Sequence, residues 1–185
     1  MSRRTTAVFP GLHTPAAGFD QPFEMLAACH ERVRRSLSLL QRLVSHVRVH
    51  GADAQARDAA RDVLRYFDLA APAHHEDEER HVIPLLRARG DEQARDAARR
   101  LLEDHVLIHR HWRTLAPLLQ ALADGGLPEQ AALADAAQAF VEVHREHLAL
   151  EDQWAFPEAE QQVRAEGAEA LRAMGDEMAA RRRAR

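Results

Sequence analysis

Histidine is the residue type in this sequence with the most potential for chemistry. Twelve of the 185 residues are histidines, and most stand in tight groups that also contain aspartate or glutamate. Neutral imidazoles and carboxylates supply the nitrogen and oxygen ligands that iron, manganese and zinc accept. The one cysteine, Cys29, can form no internal disulfide. The groups therefore predict a metal site that needs no sulfur ligand.

The spacing of these residues suggests how they converge. Residues four apart on a helix lie on the same face, one turn above each other, so both side chains of such a pair can reach one point. Three pairs have this spacing, and a lone histidine interrupts a fourth apolar stripe. The predicted metal ligands are His30, His75, Glu79, His105, His109, His147 and Glu151.

The cost of burial strengthens this prediction. One imidazole buried without a partner costs about 1–3 kcal/mol, and a lone carboxylate costs more. Seven such groups on core-facing stripes would destabilise the fold unless something binds them. A single cation would leave ligands unused, so the residues favour two cations with the carboxylates as bridges.

The elements that must position these ligands are long helices. Apolar residues recur at steps of three and four, and predicted helices cover residues 22–50, 54–89, about 98–122, about 133–154 and about 166–180. Asp20 and Asp53 stand where helix-capping residues are expected, and Gly51 and Gly90 stand at turns. Pro72 predicts a kink just before His75. The arginine-rich end, residues 181–185, reads as a solvated tail.

Four long helices with short turns predict an all-α fold, an antiparallel up-down-up-down four-helix bundle. Residues 1–19 are expected to form an irregular N-terminal arm, because they contain two prolines and two glycines. The bundle is expected over residues 20–162, with a short fifth helix and basic tail over residues 163–185.

The order of these motifs resembles the hemerythrin-like, HHE cation-binding family. The motifs are ACHERV, HHEDEERHVIP, EDHVLIHRHW and HLALEDQWAFP, one on each predicted helix, and the resemblance covers about residues 20–160. The resemblance implies a non-haem di-iron centre with an oxo or hydroxo bridge and with the seven residues above as ligands. It also implies that the centre binds dioxygen or a related small molecule.

Several assignments stay open at this point. In an ideal helix the fourth residue after His147 lies about 40° round the axis and the fifth about 140°, which favours Glu151 over Asp152 as the bridging carboxylate. His74 competes with His75, although the apolar stripe favours His75. His144 is expected to support the ligands from outside, and relatives can carry another residue in place of His109. Cys29 is expected to point away from the site, and His13 has no assigned role.

Composition excludes other function classes. The chain has 25 basic and 29 acidic residues, which argues against a nucleic-acid partner. It has no long apolar run and no signal-peptide pattern, so we expect a cytoplasmic protein with no membrane partner. Two iron ions are the expected cofactors, with zinc or manganese as alternatives. The expected function is dioxygen binding or oxygen and redox sensing. The alternatives are nitric oxide or peroxide handling, iron donation for iron–sulfur repair, and a structural zinc site.

Overall fold

The computed structural model describes residues 18–183, and about 90% of those residues are helical. No residue in that range forms a β-strand. The all-α prediction is confirmed. The arm predicted for residues 1–19, including His13, lies almost entirely outside the described residues.

The helices form five continuous runs within residues 18–183, and three of the runs are uniform while two are interrupted by short π-helical segments. The uniform runs are α1 (Pro22–His50), α5 (Glu92–Ala123) and α8 (Ala168–Arg183). The second run consists of α2 (Ala54–Arg65), π1 (Tyr66–Ala70), α3 (Ala71–Asp77), π2 (Glu78–Val82) and α4 (Ile83–Arg89). The fourth run consists of α6 (Gln130–Leu150), π3 (Glu151–Ala155) and α7 (Phe156–Glu166).

Local sequence accounts for where the runs begin and end. The carboxylates of Asp53 and Asp91 each accept a hydrogen bond of 2.8 Å from a backbone amide in the first turn of α2 and α5. Gly90 ends α4 in a left-handed conformation with φ of 81°, which glycine adopts without steric cost. The capping role predicted for Asp20 is wrong, because Gln21 is the residue before α1 and no side chain caps it.

The apolar core is divided into two clusters by a polar layer. The first cluster is centred on Leu37, Leu40, Phe67, Leu119 and Phe140, and the second on Phe23, Leu26, Leu86, Leu101 and Phe156. Each of the first four runs contributes side chains to both clusters. The predicted ligand stripes cross the layer between them. The burial of apolar surface on both sides therefore holds the polar side chains in place.

The fifth run, α8, packs beside the polar layer. Met174 and Met178 pack into the second cluster, and Arg181 and Arg182 form ion pairs of 2.6 Å with the fully buried carboxylate of Asp77. The prediction of a solvated arginine tail is therefore wrong for these two residues. The pairing unites residues about a hundred positions apart in the chain, which no local pattern reveals.

Candidate metal centre

Two glutamates occupy matching positions at the start of π-helical turns. Glu78 is the first residue of π2 and Glu151 is the first residue of π3, and both side chains are fully buried. The amide of Ile83 donates to the carbonyl of Glu78, and that of Phe156 donates to the carbonyl of Glu151. Both hydrogen bonds span five residues, which widens the helix by one residue at the glutamate.

Prolines explain these turns. Pro84 and Pro157 each come directly after the residue that makes the five-residue hydrogen bond. A proline inside a helix donates no hydrogen bond and crowds the carbonyl four residues earlier. Adding one residue to the turn relieves this crowding, and such π-helical turns are frequent at functional sites. Pro72 follows π1 in the same way, so the predicted kink takes this form there.

The two glutamates stand among five histidines from four helical runs. His75, Glu78, His105 and His147 form one group, and His30, His74, Glu78 and Glu151 form a second. We call them the first and second ligand groups. In each group, one nitrogen or oxygen of every residue lies within 4.8 Å of the others. Glu78 belongs to both groups, so the two form one continuous centre.

Distances show how the carboxylates connect the groups. Oε1 of Glu78 lies 2.9 Å from Nε2 of His74, and Oε2 lies 3.4 Å from Nε2 of His105. The two oxygens thus face different groups. Oε2 of Glu151 lies 3.2 Å from Nε2 of both His30 and His147, which again joins the two groups. Both carboxylates therefore lie between the two groups.

Unsatisfied polar atoms show that the centre fits a cation. Nε2 of His30, His105 and His147 is buried without a hydrogen bond, and so are both carboxylate oxygens of Glu78 and of Glu151. Buried polar groups in folded proteins are nearly always hydrogen-bonded, and buried carboxylates are costly unless they are paired or bind a metal. Nitrogen and oxygen donors that converge in this way match the ligand chemistry of iron, manganese and zinc.

Outer carboxylates orient two of the rings. Nδ1 of His30 lies 2.6 Å from Oδ1 of Asp152, and Nδ1 of His105 lies 2.8 Å from Oε1 of Glu79. Because a carboxylate accepts, each Nδ1 donates, and in the neutral ring this leaves the lone pair of Nε2 facing the centre. Carboxylates behind metal-binding histidines fix their tautomer and raise their basicity.

Electrostatics show that protons and a cation would compete for this centre. Burial lowers the pKa of His30, but the surrounding carboxylates outweigh burial and raise the pKa to about 11. Burial also lowers the pKa of His74, which Glu78 and the Cys29 thiol raise to about 10. Burial raises the pKa of the Glu78 carboxyl, while the surrounding imidazoles hold it well below its usual range. Without a cation, protonated imidazoles balance the carboxylates.

The structure brings together five of the seven predicted residues. His30, His75, His105, His147 and Glu151 lie in the two groups. Glu79 and His109 do not. Glu79 is exposed and contacts His105 from outside, and His109 lies on the solvent face of α5. On the second run Glu78 takes the place of the predicted Glu79, and His74 lies in the centre together with the predicted His75.

Helix geometry explains both differences. On α5 the buried residues follow alternating steps of four and three, from Leu101 to His105 to Ile108. Two successive steps of four, which would reach His109, drift about 80° round the helix and leave the buried face. On the second run π1 lies before His74 and shifts the register of the residues that follow it, so the buried positions include His74, Glu78 and Val82.

A sequence signal for Glu78 exists in the spacing to proline. The pattern His147, Glu151, Pro157 has intervals of four and six residues, and His74, Glu78, Pro84 has the same intervals. Aligning the two segments on their prolines, rather than on the apolar stripe, selects His74 and Glu78.

Other predictions near the centre have mixed outcomes. Asp152 supports His30 from outside, whereas Glu151 is the carboxylate inside. Burial raises the pKa of the Cys29 thiol, but its neighbours, His74 first among them, lower it below the ordinary value. The thiol is therefore next to a ligand ring, and the prediction that it points away is wrong. His144 is buried and belongs to neither group.

Comparison with known proteins agrees with this geometry. The family model described as hemerythrin HHE cation binding domain matches residues 21–159, which is most of the chain. The chain belongs to the hemerythrin HHE cation-binding family. The resemblance seen in the four sequence motifs is thus confirmed.

One relative of this HHE protein comes from Haemophilus influenzae (strain Rd). It is 32% identical over 168 residues, which cover 90% of this chain and 92% of the relative, and its description reads only "Uncharacterized protein". Within residues 18–183, no helix of the HHE protein is both long and apolar enough to cross a membrane.

Proposed function

We propose that the protein holds two iron ions in a His- and carboxylate-bridged centre that binds dioxygen or senses oxygen and redox state. The observation that carries the proposal is the sharing of Glu78 by the two ligand groups, with one of its oxygens near each group. A shared carboxylate is what a dinuclear centre requires and what a single-ion site does not use.

The donor set favours reversible binding of a small ligand. Five imidazoles and two carboxylates surround the centre. Bundles that activate oxygen at paired metals, such as the ferritin-like proteins, use mostly carboxylates. Iron bound here would supply the redox chemistry and an open coordination position for the ligand. Zinc and manganese accept the same donors and are the alternative ions.

The two groups differ in a way that would localise ligand binding. The first group has three imidazoles, from His75, His105 and His147, whereas the second has two, from His30 and His74. Glu78 belongs to both groups, and Glu151 also lies 3.2 Å from His147 of the first group, so the second group has one protein ligand fewer and leaves more positions for an exogenous ligand. We propose that the second group is where dioxygen or another small diatomic molecule binds.

The protein's own residues keep this centre dry and rigid. The four members of the second group are at most 2% exposed, and apolar clusters cover the layer on both sides. Asp152 and Glu79 hold donor protons at Nδ1 of His30 and His105, so these rings keep their orientation. Excluding water protects a bound ligand from side reactions and strengthens electrostatic interactions in the centre.

The test is anaerobic reconstitution with ferrous iron, followed by exposure to oxygen. We expect about two iron ions per chain and a visible absorption band that appears with oxygen and disappears when oxygen is removed. His105→Ala should abolish both signals. The matched control on the same helix is His109→Ala, which should retain them because His109 is exposed. A colourless centre that only stabilises the fold would instead favour structural zinc.

Iron donation is a second candidate, and the exposure of one ligand favours it. His75 is the half-buried member of the centre and stacks on the ring of His105 at 4.3 Å between centroids. An ion next to a half-buried ligand could be transferred to an acceptor. Rapid loss of one iron ion to a chelator, before any oxygen adduct forms, would support iron donation over reversible oxygen binding.

The finer arrangement of the fold is also a proposal. Within residues 18–183, α1 and α5 each pack against both α2 and α6, which is the contact pattern expected of an antiparallel up-down-up-down bundle. The domain boundaries at residues 19 and 162 and the cytoplasmic location stay predictions, as does the absence of nucleic-acid and membrane partners.

A further inference from the structure

His144 carries a buried nitrogen that the metal centre does not explain. The side chain is 1% exposed, and its Nε2 has no hydrogen-bond partner. The other buried atoms without hydrogen bonds belong to the ligand groups or face a group of opposite charge, as Asp77 faces Arg182 and Glu158 faces Arg89. His144 has neither explanation, and an unpaired buried polar atom is costly.

The hydrogen bond at the other nitrogen determines what Nε2 can do. Nδ1 of His144 lies 2.8 Å from the backbone carbonyl of Phe140. A carbonyl only accepts, so Nδ1 carries the hydrogen. Burial lowers the pKa of His144 to about 3, which outweighs the opposing effect of the hydrogen bond to Phe140, so the ring is neutral. Nε2 is therefore an acceptor.

The position of the ring relates it to the centre. His144 lies one turn before His147 on the buried face of α6, and its ring contacts Phe67 and Phe140. Phe67 in turn lies two turns before His74 on the second run. His144 thus lies beside Phe67 and Phe140 of the first apolar cluster and one turn from the ligand ring of His147.

We propose that His144 accepts a hydrogen bond from a small exogenous ligand of the metal centre and so favours ligands that carry hydrogen. The inference rests on the proposed function. Ligands of the hydroperoxide, hydroxylamine or water type have an O–H or N–H group to donate. Azide and carbon monoxide have none, so they gain nothing from the acceptor. His144 acts in this proposal as a positioning and selecting residue, not as a metal ligand.

The experiment compares two small ligands on cobalt(II)-loaded protein, because cobalt(II) replaces ferrous iron, has visible bands and resists oxidation. Hydroxylamine can donate to Nε2 and azide cannot. In His144→Leu we expect the dissociation constant of hydroxylamine to rise about tenfold, the value of one buried hydrogen bond. The dissociation constant of azide should change by less than about twofold. His144→Gln retains an acceptor and should restore most of the hydroxylamine affinity.

A measurement without metal separates this role from simple packing. Thermal unfolding of metal-free His144→Leu should show little loss of stability, since removal of the unpaired Nε2 offsets loss of the hydrogen bond from Nδ1 to the Phe140 carbonyl and the volume is kept. Equal changes in the two dissociation constants, or no change in either, would overturn the proposal. So would a clear loss of thermal stability in the metal-free variant. If the unaltered protein binds no cobalt, the proposed function fails instead.

Discussion

The segments 74–84 and 147–157 share one sequence and structural motif. Each places a histidine, a buried glutamate four residues later and a proline six residues after that, with a π-helical turn between glutamate and proline. In each, the acid after the glutamate supports a histidine on another helical run. The centre is thus built around two similar halves, which His30 and His105 from other helical runs complete.

The differences between the segments make the halves inequivalent. His75 in the first segment corresponds to Leu148 in the second, so only the first segment supplies a second imidazole. Asp77 corresponds to Leu150, so only the first segment receives the arginines of α8. The two segments therefore contribute different sets of side chains to the centre.

The largest effect is expected from Glu78, because both ligand groups share it. Glu78→Gln keeps the shape of the side chain but removes the charge that joins the two groups. We expect binding of both metal ions to be lost, measured by elemental analysis after reconstitution. Glu103→Gln, on an exposed part of α5, is the control and should load normally. Full loading of Glu78→Gln would show that the two groups do not depend on a shared bridge.

Asp77 should be the next most sensitive position. Asp77→Leu introduces the residue type that the second segment has at Leu150. It removes the buried carboxylate that pairs with Arg181 and Arg182. We expect the free energy of unfolding of the metal-free protein to fall by about 3 kcal/mol, measured by urea denaturation. Arg183→Ala, an exposed position on the same helix, should have little effect. A small loss in Asp77→Leu would mean that α8 is held by its apolar face alone.

The outer carboxylates test whether the two halves are equivalent. Asp152→Asn and Glu79→Gln each weaken the support of one ligand ring, His30 or His105. We expect each to reduce metal affinity by about 10- to 100-fold, because such partners orient the ligand ring and raise its basicity. Competition with a chelator measures both. A loss in only one variant would show that the halves rely on their outer carboxylates to different extents.

His75→Leu makes the two segments alike at the position of Leu148. The substitution removes one imidazole from the first group and leaves the second group intact. We expect one of two metal ions to bind about tenfold more weakly, with little change in the other, measured by calorimetric titration. Equal weakening of both ions would indicate that the groups are more strongly coupled than their separate imidazoles suggest.

The smallest expected effect is the release of protons when metal binds. The raised pKa values of His30 and His74, about 11 and about 10, mean that both rings are protonated near pH 8 in the metal-free protein. Metal binding should therefore release about two protons, measured by calorimetry in buffers of different ionisation enthalpy. The same raised pKa values stabilise the metal-free fold fully below pH about 6.5, and this contribution is lost as the pH rises through about 10–11. Proton-independent metal binding would contradict this assignment.

Local sequence was sufficient for the helices and for part of the centre. The three- and four-residue spacing of apolar residues placed His30, His105, His147 and Glu151 on buried faces, because an unbroken helix has a known period. The same reasoning failed at Glu79 and His109. On the second run the reasoning treated a helix that contains π-helical turns as regular. On α5 it followed two successive steps of four residues, which leave the buried face.

The sequence by itself determined that this protein is helical, that its buried stripes carry histidines and carboxylates, and that prolines follow both glutamate motifs. Only the tertiary structure decided that Glu78 rather than Glu79 faces the centre, and that Arg181 and Arg182 reach Asp77. The physical reason is that one extra residue in a turn rotates the following side chains by about 100°, and that ion pairs between distant residues depend on how the helices pack.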